Sequence, residues 1–275
     1  MIDLHTHLLW DWDDGPDDRG QARTMCRIAE KDGTTAICLT PHVFRMSRHD
    51  NDLGLLRQRM VEFDGEMRDS GISIEFHWGA EVFVHAEVVR AIELYRFTID
   101  ETSYVFLEFA AEGVPVGAAN MLAQLMSKGF VPIISHPERN RGFMARPELL
   151  YEFVSMGCVA QLTAASLTGE LGREVRTAAG RFLVNNLVHI IASDAHRAIG
   201  RPPGLSRAVE AASKIVGESK ARAMVTEIPR AILENKAVPE WGEPQNPLGR
   251  TSWTRRLIGL PRRPPPRNTT VLKIK

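Results

Sequence analysis

Seven short apolar runs, each followed by a segment with helical apolar spacing, constrain this chain more than any other feature. The runs cover residues 2–4, 34–39, 72–78, 104–109, 131–134, 158–162 and 187–192. Between the first two, Ala22, Met25, Cys26 and Ala29 recur at i, i+3, i+4 and i+7, and Gly33 stops the helix they predict. Leu56, Met60, Phe63 and Met67 mark the next helix, and two helical segments, 206–216 and 219–235, end the pattern. Strands that alternate with helices of this length are parallel and joined by crossovers. An open doubly wound sheet and a closed barrel both satisfy that periodicity.

Polar residues at the strand ends separate the two. His5 and His7 end the first run, and residues two apart on a strand face the same side. His42 follows the second run, Glu81 the third and His136 the fifth, while Glu108 ends the fourth. Asp194 and His196 follow the seventh with the same spacing as His5 and His7. Glu108 interrupts Val105-Phe106-Leu107-Glu108-Phe109, and a carboxylate inside a buried strand needs a cation. The sixth run supplies no ligand type; Gln161 and Thr163 lie there. In a barrel, the carboxyl ends of parallel strands surround one mouth, where active sites assemble. The fold class expected is α/β, an irregular seven-stranded (β/α)7 barrel with a metal site at that mouth. His49, His77, His85 and His189 have no partners in this pattern.

At 275 residues and 44% apolar content the chain can bury a large core. It has no apolar run of membrane-spanning length and no basic stretch at its acidic N-terminus, so neither a spanning helix nor a secretory signal is expected. Cys26, Cys38 and Cys158 are scattered, two of them in apolar stretches, as in a reducing compartment. None has an arginine six positions on, which excludes the thiol-phosphatase loop. Eight Lys or Arg and no acid follow Glu243, leaving 26 basic against 34 acidic residues before it. That break predicts a domain over 1–243 and a flexible basic, proline-rich tail over 244–275. Trp253, Leu257 and Ile258 among the tail arginines suit weak contact with an anionic membrane surface. No nucleic-acid partner is expected.

The motifs in order are Ile-Asp-Leu-His-Thr-His with Asp-Asp-Gly, Thr-Pro-His, Gly-Ala-Glu, a strand ending in Glu, Ser-His-Pro-Glu-Arg, and Ser-Asp-Ala-His with Arg-Pro-Pro. Together, over residues 1 to about 240, they resemble the PHP (polymerase and histidinol phosphatase) superfamily. Within it the chain is similar to bacterial manganese-dependent protein-tyrosine phosphatases of the CpsB/YwqE type. The resemblance implies a PHP fold and three divalent ions, manganese by preference, with iron or zinc also compatible with nitrogen and oxygen ligands. It implies His5, His7 and Asp194 on the first metal, with Glu81 bridging to a second. Glu108 and His136 would complete the second, and Asp14, His42 and His196 would hold the third. Arg139 and Arg201 match the arginines that contact phosphate. The implied reaction is hydrolysis of phosphotyrosine by metal-activated hydroxide, on a membrane-associated bacterial tyrosine kinase that regulates capsule or exopolysaccharide export. The implied location is cytoplasmic, at the inner membrane if the tail attaches there. The rivals are a small-molecule phosphatase such as one for histidinol phosphate, and a binding protein that no longer turns over. Trp10-Asp11 stands where the family has Pro-Gly, so Trp10 and Trp12 are read either as an aromatic wall for a tyrosine ring or as cover for the barrel mouth. Asp11 and Asp13 are expected to add negative charge that competes for metal.

Overall fold

A computed structural model of the chain describes residues 1–49, 52–239 and 242–248. Its strands are β1 (Ile2–Thr6), β2 (Ala36–Leu39), β3 (His42–Val43), β4 (Glu75–Trp78), β5 (Glu81–Phe83), β6 (Tyr104–Glu108), β7 (Val131–Ile134), β8 (Val159–Thr163) and β9 (Ile190–Ala192). Every pairing is parallel. The strands form a three-stranded sheet, β1-β2-β4, and a six-stranded sheet, β3-β5-β6-β7-β8-β9. The fold is therefore α/β with a curled parallel sheet. It departs from seven even strands because the second and third are each interrupted. Thr40-Pro41 separates β2 from β3, where proline has no N–H to donate to a ladder, and Gly79-Ala80 separates β4 from β5.

Both faces of β1, β2, β6 and β8 are buried, as parallel strands under crossover helices must be. The helix Arg19–Lys31 buries Ala22, Met25, Cys26 and Ala29, the stripe read from the sequence, and Asp18 caps its start by accepting from the Gln21 N–H. Helix Leu53–Asp69 buries Leu56, Phe63 and Met67. The helix expected over 219–235 is instead two, Glu218–Ala223 and Glu227–Leu233. Pro229 lies in the first turn of the second, where its missing N–H is tolerated; further inside a continuous helix it would clash with the preceding turn.

At the proposed domain boundary, Asn186 Nδ2 donates to the Glu243 carbonyl, the Gln245 N–H to the Asn185 carbonyl and Arg181 Nη2 to the Pro247 carbonyl. The rest of the expected tail, from residue 249, lies outside the described residues, including Trp253, Leu257 and Ile258. Among the described residues no helix is long and apolar enough to cross a membrane.

Candidate metal centre

The curl of the sheet brings the carboxyl ends of its strands together. His5 lies on β1, His42 and Glu81 open β3 and β5, and Glu108 ends β6. His136, Asp194 and His196 stand on the loops after β7 and β9. His136 and Asp194 are non-glycine residues in the left-handed region, at φ 32° and 52°. Such conformations persist where the surrounding structure over-determines them, and they cluster at functional sites.

Glu81 is the hub. Its Oε2 lies 3.4 Å from His5 Nε2, 3.4 Å from His7 Nε2 and 3.2 Å from His42 Nδ1, and its Oε1 lies 3.1 Å from His136 Nε2. The side chain is wholly buried, yet neither oxygen has a hydrogen-bond partner of acceptable geometry. Asp14 Oδ1, Glu108 Oε2 and His42 Nδ1 are buried without such partners as well. Orphaned buried acceptors are expensive unless a cation satisfies them. His5 Nε2 and His7 Nε2 face each other at 3.1 Å. Two nitrogens each about 2.0–2.1 Å from one tetrahedral ion would be about 3.3 Å apart. The residues present therefore fit divalent cations.

Three compact sets of ligand atoms emerge: His5, His7 and Glu81; His42, Glu81 and Glu108; and His7, Asp14, His42 and His196. The last joins His7 to the trio that the resemblance implies for a third metal. Asp194 and His136 lie beside these sets rather than inside them. Asp194 Oδ1 is 3.8 Å from His5 Nε2, 3.6 Å from His7 Nε2 and 3.6 Å from His196 Nδ1. Its Oδ2 accepts from Arg139 Nη1 and, at 2.8 Å, from Arg201 Nη2. Both arginines line a cavity of about 220 Å³ together with Asp14, Glu108, His136 and Arg45.

Electrostatics follow from crowding anions and imidazoles away from water. Burial opposes ionisation of Glu81, but the charges of His5 and His136 outweigh it and hold the carboxyl well below its usual range. Burial and the neighbouring Glu81 charge push Glu108 up to about 7. Burial would lower His7, but Asp13 and Glu81 raise it to about 10, whereas burial and the His7 charge take His42 down to about 4. Asp194 is held well below the carboxylate range: burial opposes this, and Arg139, His196 and Arg201 overcome it. Without metal, protons and guanidinium groups compensate the carboxylates, and a divalent ion would displace those protons.

Sequence reasoning missed the residues that orient the ligands. Asp13 Oδ2 lies 2.9 Å from His7 Nδ1 and accepts the His42 N–H at 2.9 Å. It aims the His7 imidazole and fixes the backbone that carries His42 rather than competing for metal, the role ligand-orienting carboxylates play around metal-bound histidines. Gly15 completes that turn, since a Cβ there would sit 2.3 Å from the His7 carbonyl oxygen. Gln161 Oε1 lies 3.1 Å from His5 Nδ1 and accepts the His136 N–H at 3.2 Å, so the sixth run contributes after all, one step behind the ligands. Its signal was a glutamine amid the apolar residues of β8. Buried Glu138 pins the His136 loop by accepting from the Thr163 N–H at 2.9 Å and the Ser166 hydroxyl at 2.6 Å.

The expectation for Asp11 is corrected, and of the two readings of Trp10 and Trp12 the aromatic wall is ruled out. Asp11 faces outward to Arg59 at 3.3 Å and Arg48 at 3.7 Å, away from the ligands. Trp10 is buried and stacks on Phe63 at 5.6 Å. Trp12 is buried with its Nε1–H donated to the His42 carbonyl at 3.0 Å. Neither ring lines the cavity, so they are not a wall for a substrate ring; they support the loop beneath it.

Residues 1–234 match the family model described as capsular polysaccharide synthesis, CpsB/CapC. The chain is 31% identical to the tyrosine-protein phosphatase YwqE of Bacillus subtilis over 261 residues, covering 94% of this chain and all of that one. It is 31% identical over 203 residues to the putative tyrosine-protein phosphatase CapC of Staphylococcus aureus, 74% of this chain and 79% of that one. Among solved structures it superposes with a TM-score of 0.84, at 31% identity, over 90% of this chain and 99% of the other. That work is described as crystal structures of YwqE from Bacillus subtilis and CpsB from Streptococcus pneumoniae, unique metal-dependent tyrosine phosphatases.

Proposed function

The chain belongs to the CpsB/CapC family, and from that premise we propose that it is a metal-dependent protein-tyrosine phosphatase. The observation that carries the reading is the convergence of five histidines and four carboxylates, with buried acceptors lacking hydrogen-bond partners, beside two arginines on one cavity. Its metal residues are His5, His7, Asp14, His42, Glu81, Glu108, His136, Asp194 and His196. Manganese is the metal we propose; a donor set of nitrogen and oxygen without thiolate supports it, because all three cysteines are buried and free elsewhere. Divalent ions bound there supply Lewis-acid charge and a water activated near neutral pH.

The chain's own residues do the rest. Arg139 and Arg201, steadied by Asp194, present N–H donors to the cavity where a phosphoryl group's charge would build. Asp13 and Gln161 hold imidazole orientation, so little reorganisation is needed at reaction. A phenolate leaves with a pKa near ~10, so an aryl ester needs less proton donation than an alkyl one.

The fold we propose in detail is one interrupted seven-stranded barrel of the PHP type. It is supported by the His7 N–H to Ala195 carbonyl bond and the Asp194 N–H to His5 carbonyl bond, both 2.9 Å, which link β1 to the end of β9. The Gly79 N–H to Leu39 carbonyl and Glu81 N–H to Pro41 carbonyl bonds carry the pairing across the two breaks.

The substrate proposed is phosphotyrosine on a membrane-associated tyrosine kinase of capsule synthesis, met in the cytoplasm. Metal-loaded protein should hydrolyse a phosphotyrosine peptide with a higher kcat/KM than histidinol phosphate. The reverse preference would assign it to small-molecule chemistry, and no turnover of either would leave a binding protein. The basic segment from residue 249 would supply weak membrane-surface contact, each cation near an anionic surface contributing on the order of 1 kcal/mol. Removing 249–275 should leave turnover of a soluble aryl phosphate unchanged and reduce sedimentation with anionic vesicles at low salt. Equal sedimentation of the two forms would remove the membrane role. This truncation spares the contacts of Glu243, Gln245 and Pro247.

A further inference from the structure

Arg45 lines the same cavity as Arg139 and Arg201 but belongs to none of the sequence motifs and none of the ligand sets. It stands on the loop after β3, whereas Arg201 stands on the loop after β9. Those strands are the two edges of the six-stranded sheet, so the arginines share a cavity only because the sheet curls. Arg139 and Arg201 converge on Asp194, while Arg45 Nη1 donates to Glu108 Oε1 at 3.3 Å. The Arg45 guanidinium also lies over the Phe83 ring, 5.0 Å from its centre, which limits its swing. Its neighbours Phe44 and Met46 are held at φ 64° and 59°, a region bulky residues rarely enter. Strain on both sides of one charged side chain, at the mouth of a site, is the pattern expected where its direction matters.

We propose that Arg45 is a third phosphoryl-binding residue, gripping the substrate phosphate from beside Glu108, while Arg139 and Arg201 act from beside Asp194. This rests on the phosphatase reading above. A guanidinium has five N–H donors, and the Glu108 contact uses one, leaving others for a phosphate oxygen. Glu108 Oε2, buried without a hydrogen-bond partner, is the oxygen left for a cation, so Arg45 and a metal need not compete for one atom. A dianion entering a cavity of about 220 Å³ would then meet guanidinium groups from both edges of the sheet.

The test uses the full metal-loaded chain, with inorganic phosphate as the probe. For Arg45→Ala, the inhibition constant of phosphate and the KM for an aryl phosphate should each rise about tenfold. Turnover should change less than KM, and metal content by elemental analysis should not change. Arg45→Lys should recover part of the phosphate affinity, since it restores charge without the planar fork. A phosphate constant within about twofold of wild type, at full metal content, would overturn the proposal, even if the KM of a phosphopeptide rose. Metal loss in parallel with affinity would also overturn it, making Arg45 a prop for Glu108. An inactive wild-type enzyme would instead sink the phosphatase reading, so the two failures are separable.

Discussion

Chelation of divalent ions should reduce turnover of an aryl phosphate by at least about a thousandfold, with recovery on adding manganese. The reason is the state of the metal-free site. Glu81, Glu108, Asp14 and Asp194 crowd one cavity, and protons on histidines and the Arg45, Arg139 and Arg201 guanidinium groups are their counter-charges among the described residues. None of those groups generates a nucleophile from water near neutral pH. Metal should also stabilise the fold, by about 2.7 kcal/mol when free ion is a hundredfold above its dissociation constant, which a rise in Tm would report. Glu81→Ala should lower metal content more than any other single ligand substitution, because the Glu81 carboxylate faces four imidazoles at once, those of His5, His7, His42 and His136. Purified protein without bound metal, and with turnover indifferent to chelator, would end the metal mechanism. Intact metal content in Glu81→Ala would move the hub elsewhere.

Arg139→Ala and Arg201→Ala should each lower kcat by about a hundred- to a thousandfold while metal content stays near normal, as when a preorganised donor is removed from a charge-developing centre. The structure adds a second readout. Both guanidinium groups hold the same oxygen of Asp194, a side chain only 2% exposed. In metal-free protein, removing both would leave that carboxylate buried without its two guanidinium donors, at about 1–3 kcal/mol. Manganese should therefore raise the Tm of the double variant more than that of wild type. Loss of metal in step with activity would make the arginines structural; equal Tm shifts would show that Asp194 does not depend on them.

Much of this protein is written in local pattern. Alternation of apolar runs with helical stripes sets the order of elements, because backbone hydrogen bonding and side-chain facing repeat with short periods. The ligand types are legible for the same reason: a histidine or carboxylate just past a buried strand emerges at the carboxyl end of the sheet. Glu108 announced itself as a charge in an apolar run, and His5 and His7 by their shared face. What the chain could not disclose locally depends on curl and register. Pro41 and Gly79 were visible, but the split of the sheet depends on which strands their neighbours pair with. Asp13 read as another acid in an acidic loop until His7 Nδ1 and the His42 N–H came within 2.9 Å of it. Trp10 and Trp12 could face the mouth or the core, and Phe63 and the His42 carbonyl, 53 and 30 positions further along, settled it. Arg45 is likewise unremarked in sequence, because its meaning lies in meeting Arg201 from the opposite edge of a sheet. Periodicity determines which residue types reach the mouth; only the closing of the sheet decides which of them meet.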